Sequence, residues 1–77
     1  MKPNRDLHSL GNEIRRAREA KGLSQEGLAE LAELSRNYVG FIERAERSPR
    51  VTTIFKLARA LGLHPSELLR EMRWPAK

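Results

Sequence analysis

Apolar residues recur at three- and four-residue spacing along most of the chain, and the runs they form are short. Leu7, Leu10, Ile14 and Ala17 make the first run, and Leu28, Ala29, Leu31 and Ala32 the second. Tyr38, Val39 and Ile42 make the third, and Ile54, Leu57, Ala58 and Leu61 the fourth. This spacing places each set on one face of an α-helix, whereas a half-buried strand alternates with period two. Gly22, Ser48-Pro49 and Gly62 separate the runs. The pattern predicts a first helix over 7–21, with Asp6 as N-cap and Gly22 as its stop. A second starts at Ser24 and ends near Ala32. It lacks a full capping box because Gly27 stands where Glu or Gln would complete one, although Glu26 suits the positive end of the helix dipole. A third starts at Ser35 and reaches Arg44. A fourth, capped by Thr52 or Thr53, ends at Gly62, and a fifth begins at Pro65 and runs through Ser66 to about Met72. Trp74-Pro75 closes the chain as a tail. No strand pattern or repeat is present, so the sequence predicts one compact all-α domain of five helices over 1–77, with a core of 7–72 and a tail of 73–77.

A chain of 77 residues buries only about 60% of its unfolded surface, so the core is small. No cysteine is available for a disulfide staple or a thiolate metal site. Packing, with or without a partner subunit, must supply the stability. The first residues carry charges at Lys2, Arg5, Asp6, Glu13 and Arg15, which does not resemble a signal peptide. No stretch approaches the roughly 20 apolar residues needed to cross a bilayer. A soluble, cytoplasmic protein is expected. Fifteen basic residues against ten acidic give a formal charge of +5, and eleven of the fifteen are arginine, which suits bidentate contact with phosphate or guanine. The balance favours a polyanionic partner without proving one.

The second and third predicted helices, with the short turn between them, form the informative unit. Two helices crossing at about 90–120° can place the second of them in the major groove of DNA. So close a crossing needs a small residue, which Ala29 supplies. Leu34, Val39 and Ile42 anchor the third helix from beneath. If Val39 and Ile42 face inward, helical geometry turns Arg36, Asn37, Gly40, Phe41 and Arg44 outward. Arginine matches guanine N7 and O6, asparagine matches adenine N6 and N7, and Gly40 would allow a close backbone approach. A solvated helix face with ordinary charges is the competing reading.

The run Leu23-Ser24-Gln25-Glu26-Gly27-Leu28-Ala29, continuing through Leu34-Ser35 to Ile42-Glu43-Arg44, resembles the phage-repressor/Cro-like (Xre-type) helix-turn-helix family. The resemblance extends to Ala58-Arg59-Ala60-Leu61-Gly62-Leu63 and Glu67-Leu68-Leu69, roughly 10–69 in all. Arg36-Asn37-Tyr38 with Ile42-Glu43-Arg44 and Arg47 is most similar to the small controller proteins of restriction-modification systems. The resemblance implies a lambda-repressor-like fold and a regulator that binds double-stranded DNA. It implies that Gln25 contacts a phosphate, that Arg36 and Asn37 read base edges beside Ser35, and that Arg47 grips the backbone or reaches a base. Tyr38 sends its hydroxyl to a phosphate or simply packs. It further implies a partly buried ion pair between Arg18 and Glu43 that fixes the reading helix without touching DNA.

Three positions depart from the family. Glu33 stands where glycine is frequent, in a turn that can require positive φ. Arg50 replaces the usual serine or threonine cap of the fourth helix, which shifts the cap to Thr52 or adds a phosphate contact. Phe41 replaces a polar reading residue, and either packs on thymine methyl groups or folds back onto the domain.

Leu68, Leu69, Met72 and Trp74 offer a surface through which two copies would pair, placing two reading helices about 34 Å apart. The alternative is that Leu68 and Met72 complete the monomer core. Catalytic and metal-binding constellations are not found: His8 and His64 are isolated, the serines sit at caps or in loops, and no Gly-rich phosphate loop occurs. No cofactor, small-molecule ligand or membrane partner is expected. The rival class is an antitoxin-type module that binds a protein partner as well as its own operator.

Overall fold

A computed structural model describes residues 5–72. Its elements are α1 (Arg5–Ala20), α2 (Gln25–Ala32), α3 (Arg36–Glu43), α4 (Val51–Leu61) and α5 (Pro65–Leu69), with no strand among the described residues. The all-α, five-helix expectation holds. Helix α2 lies at the centre, packed on α3 and α4, while α1 crosses α3 and α5 rests on α1 and α4.

The predicted apolar faces converge. Leu10 and Ile14 of α1 meet Leu28, Ala29 and Ala32 of α2, Val39 and Ile42 of α3, Leu57, Ala58 and Leu61 of α4, and Leu68 of α5. Each buried Leu, Ile or Val contributes about 1.5–3 kcal/mol relative to exposure, which is how five short helices hold without a disulfide. Leu34 and Tyr38 pack against the rim of this core.

Helix ends α1 to α4 share one device. A left-handed residue follows each helix, directly at Glu33 (φ 60) and Gly62 (φ 72) and one residue further on at Gly22 (φ 71) and Ala45 (φ 62). The following N–H reaches back to a carbonyl five residues earlier: Leu23 to Arg18 at 3.0 Å, Leu34 to Ala29 at 2.8 Å, Glu46 to Phe41 at 2.8 Å and Leu63 to Ala58 at 2.9 Å. This Schellman closure satisfies carbonyls that a helix end leaves orphaned. Glycine adopts the left-handed conformation at little cost, whereas Glu33 and Ala45 each carry roughly 1–2 kcal/mol of strain. The positive φ expected at Glu33 is present; the second strained position, Ala45, gave no signal in sequence.

Helix starts differ from expectation in two places. The first helix already includes Arg5, so Asp6 lies inside its first turn rather than at the cap. Helix α4 begins at Val51 with Arg50 as its N-cap, and the Arg50 side chain makes no capping bond. Thr52 and Thr53 are therefore within α4, with Thr53 buried. Ser24 and Ser35 cap as read, their hydroxyls accepting from Gly27 N–H at 2.9 Å and Tyr38 N–H at 3.0 Å. At α5 the His64 ring nitrogen accepts from Ser66 N–H at 3.1 Å, and Glu67 accepts from His64 N–H at 3.1 Å. That helix stops at Leu69, short of the predicted Met72.

One contact decides how α1 meets α3. A Cβ on Gly11 would lie 2.6 Å from the Glu43 carbonyl oxygen and 2.7 Å from that of Ile42. The two backbones touch there because Gly11 has no side chain. No described helix is long and apolar enough to cross a membrane.

Candidate nucleic-acid interface

Helix α3 presents its first turn to solvent. Val39 and Ile42 are buried, as their spacing requires, and Arg36 and Asn37 are exposed beside the Ser35 cap. Tyr38 is half-buried with its ring against the core. No carboxylate lies within ion-pair distance of Arg36, Arg47 or Arg50 among the described residues, so all three remain available to an anion.

The far end of α3 is organised around Phe41. The Arg47 guanidinium lies 5.0 Å from its ring centroid and that of Arg44 5.5 Å, both within cation–π range. Arg44 also meets Glu46 at 3.2 Å, with both side chains about half exposed. Phe41 is half-buried, so it neither leaves the domain nor disappears into it. Gly40 differs from the outward position read in sequence. It is buried, and a Cβ there would lie 2.9 Å from an Arg44 nitrogen. That nitrogen is the tip of a flexible, half-exposed side chain.

At the last residue of α3 lies a charged cluster. Arg18 donates through Nε to Glu43 Oε2 at 2.7 Å and through Nη2 to Oε1 at 3.1 Å, and its Nη1 donates to the Leu23 carbonyl at 2.9 Å. The Glu43 side chain is 1% exposed and that of Arg18 11%. The hydrogen bond to Glu43 raises the Arg18 pKa above its ordinary value against the opposing effect of burial, and the charges of Glu43 and Glu19 add to the rise. Gln25 Nε2 donates to the same Oε1 at 3.0 Å. A carboxylate only accepts, so the Gln25 amide must face it with nitrogen, which leaves one amide N–H free. Gln25 thus couples the first turn of α2 to the base of α3.

Arg47 and Arg50 lie on the 44–50 connection, exposed on the path from α3 to α4. The pairing surface expected on α5 is not available as a whole. Leu68 is 1% exposed because α5 packs on α1 and α4 and turns this side chain into the monomer core. Leu69 and Met72 are half-buried against that core, and Trp74 lies outside the described residues.

Two helices joined by a tight left-handed turn, with the second one's first turn exposed and basic, define a helix-turn-helix protein. A family model described as helix-turn-helix matches residues 14–68. The chain belongs to this Xre-type family of DNA-binding transcriptional regulators.

It is 38% identical over 65 residues to an uncharacterized HTH-type transcriptional regulator of Sinorhizobium fredii, covering 83% of this chain and 84% of that one. It is 42% identical over 60 residues to the control protein C.SmaI of Serratia marcescens, covering 78% of this chain and 71% of that one. The crystal structure of the restriction-modification controller protein C.AhdI from Aeromonas hydrophila superposes with a TM-score of 0.83 at 49% identity, over 84% of this chain and 98% of that one. The antitoxin reading gains no support from these similarities.

Proposed function

We propose that this chain binds specific sites on double-stranded DNA as a homodimer and regulates transcription in the cytoplasm, in the manner of the controller proteins and repressors it resembles. The carrying observation is the exposed Arg36-Asn37 first turn of α3, a helix whose other end is tied to α1 by the buried Arg18–Glu43 pair. A helix already held in place by its packing needs less reordering on binding.

In this mechanism α3 enters the major groove by its N-terminal turn. Arg36 pairs with a guanine edge and Asn37 with an adenine edge, each good bidentate contact being worth about 1–3 kcal/mol of discrimination. The free amide N–H of Gln25, the Ser35 hydroxyl, Tyr38 and Arg50 lie where phosphates flank the groove and set register rather than sequence. Arg44 and Arg47, held on Phe41, add cationic contacts at the far end of the helix. Residues 1–77 act as one DNA-binding domain. A single α3 covers one half-site, so pairing two copies is what makes a pseudo-palindromic operator readable.

The test is selection of duplexes from a random pool, followed by binding measurements across a salt series. The expected result is an enriched palindromic motif whose affinity falls steeply with salt and exceeds that of random DNA by about 10³ or more. Equal affinity for selected and random duplexes would reject site-specific recognition.

A further inference from the structure

Four arginines, Arg36, Arg44, Arg47 and Arg50, are exposed on α3 and the connection that follows it. Among the described residues, Arg44 alone of these four has a carboxylate within ion-pair distance, Glu46 Oε1 at 3.2 Å from its Nε. Residues two apart on a helix do not face each other, so a continued α3 would hold this pair apart. The left-handed Ala45 (φ 62) turns the chain back, and the Glu46 N–H then donates to the Phe41 carbonyl at 2.8 Å. The backbone of Glu46 is thereby fixed against the residue whose ring lies 5.5 Å from the Arg44 guanidinium.

We propose that Glu46 is a specificity-determining residue that positions Arg44, directing it away from phosphate and toward a guanine edge. The role rests on the site-specific DNA reading above and concerns the far end of the same helix.

The carboxylate cancels the charge of Arg44 at a distance well inside the Debye length of about 8 Å at physiological salt. A phosphate beyond the pair therefore meets little net charge, and attraction to phosphate is the sequence-independent part of affinity. A guanine edge makes a different demand. Its O6 and N7 are neutral acceptors, which need aligned N–H donors more than net charge.

Donors are what the pair leaves. Glu46 approaches Arg44 at Nε, and the terminal nitrogens lie over Gly40 within α3, Nη1 2.9 Å and Nη2 3.5 Å from where a Cβ would stand. Ring and carboxylate together restrain a side chain that is otherwise half exposed. A restrained guanidinium fork loses less freedom when it pairs with a planar base edge. Arg47 shares the ring at 5.0 Å but has no such carboxylate among the described residues, and it keeps its full charge.

The test compares the wild type, Glu46→Gln, Arg44→Ala and the double variant on the selected operator and on a random duplex. Fluorescence anisotropy across a salt series gives the affinities, and circular dichroism checks folding. At about 0.15 M salt, Glu46→Gln is expected to bind the random duplex about 5-fold more tightly. Its log–log salt slope should steepen by about 0.9, which is the mark of one added phosphate contact. Operator affinity should change little, so the ratio of operator to random affinity falls about 5-fold. Selection from a random pool should show relaxed preference at one base pair per half-site. In the Arg44→Ala background the same substitution should move neither slope nor ratio, because Glu46 acts through Arg44. An equal gain on both duplexes would show Glu46 to be a repelling charge only and would overturn the specificity role. An undiminished effect in the Arg44→Ala background, or no effect of Glu46→Gln at all, would overturn it as well. Equal affinity of the wild type for both duplexes would instead reject the DNA reading itself, whatever Glu46 does.

Discussion

Arg18 Nε and Glu43 Oε2 lie 2.7 Å apart across a gap of 25 residues, joining the last turn of α1 to the last residue of α3. The carboxylate is almost wholly out of water, and three donors from Arg18 and Gln25 surround it. Removing one partner from such a pair leaves an uncompensated buried charge, which is why the pair fixes geometry even if it adds little net stability. Arg18→Met is expected to lower unfolding free energy by about 3–5 kcal/mol in urea titration. The double variant Arg18→Met/Glu43→Met should recover most of that loss, and a merely additive double variant would show the two residues to be uncoupled. The folded-state pKa of Arg18 is raised, so its contribution is fully present below the ordinary guanidinium value. It is lost only as pH climbs through the raised value, so the Arg18 guanidinium contributes no pH dependence in the neutral range.

Gly11→Ala is expected to disturb the reading helix from a distance. The new methyl would meet two backbone carbonyl oxygens at 2.6 and 2.7 Å, and backbone cannot swing aside as a side-chain tip does. Overpacking of this kind costs about 1–3 kcal/mol. Thermal unfolding should show the loss, and DNA affinity should fall because α3 is displaced relative to α1. An unchanged melting temperature would mean that the crossing is looser than these distances imply.

The two strained turns give a stabilising prediction. Replacing Glu33, or Ala45, by glycine removes the left-handed penalty and returns part of it as unfolded-state entropy. A net gain of about 1 kcal/mol is expected from each variant in urea unfolding. A loss of stability would show that contacts of the removed side chain outweigh the backbone strain.

Arg36→Ala should cost about 1–3 kcal/mol on the selected operator and relax preference at one base pair per half-site. Gln25→Ala should instead weaken selected and random duplexes alike, with a small stability loss from its bond to Glu43. If Arg36→Ala lowers affinity uniformly, the residue contacts phosphate rather than a base.

Phe41→Leu keeps apolar volume but removes the aromatic face beneath Arg44 and Arg47. Each exposed cation–π contact is worth about 0.5–1 kcal/mol. The expected outcome is an unchanged melting temperature, weaker operator binding and recovery in Phe41→Tyr, measured by fluorescence anisotropy. Full affinity in the leucine variant would leave Phe41 with a packing role only.

The sequence by itself determined the helices, two of the serine caps, the glycine stops and the inward set Leu28, Ala29, Val39 and Ile42. These follow from backbone stereochemistry and from period 3.6, which act over a few residues. The resemblance to a known family also made the Arg18–Glu43 pair legible, which no local rule would have joined across 25 residues. Only the tertiary structure decided which apolar residues of α4 and α5 are covered. Leu68, expected at a partner surface, is buried because α1 and α4 close over it. Val51 and Phe55 stay open because no described helix lies on their side of α4. Gly11 likewise acquires its role from what approaches it, the backbone of α3. Periodicity sets the direction in which a side chain points. Whether anything stands there depends on the crossing of helices distant in sequence, and that is fixed by the packing of the whole core.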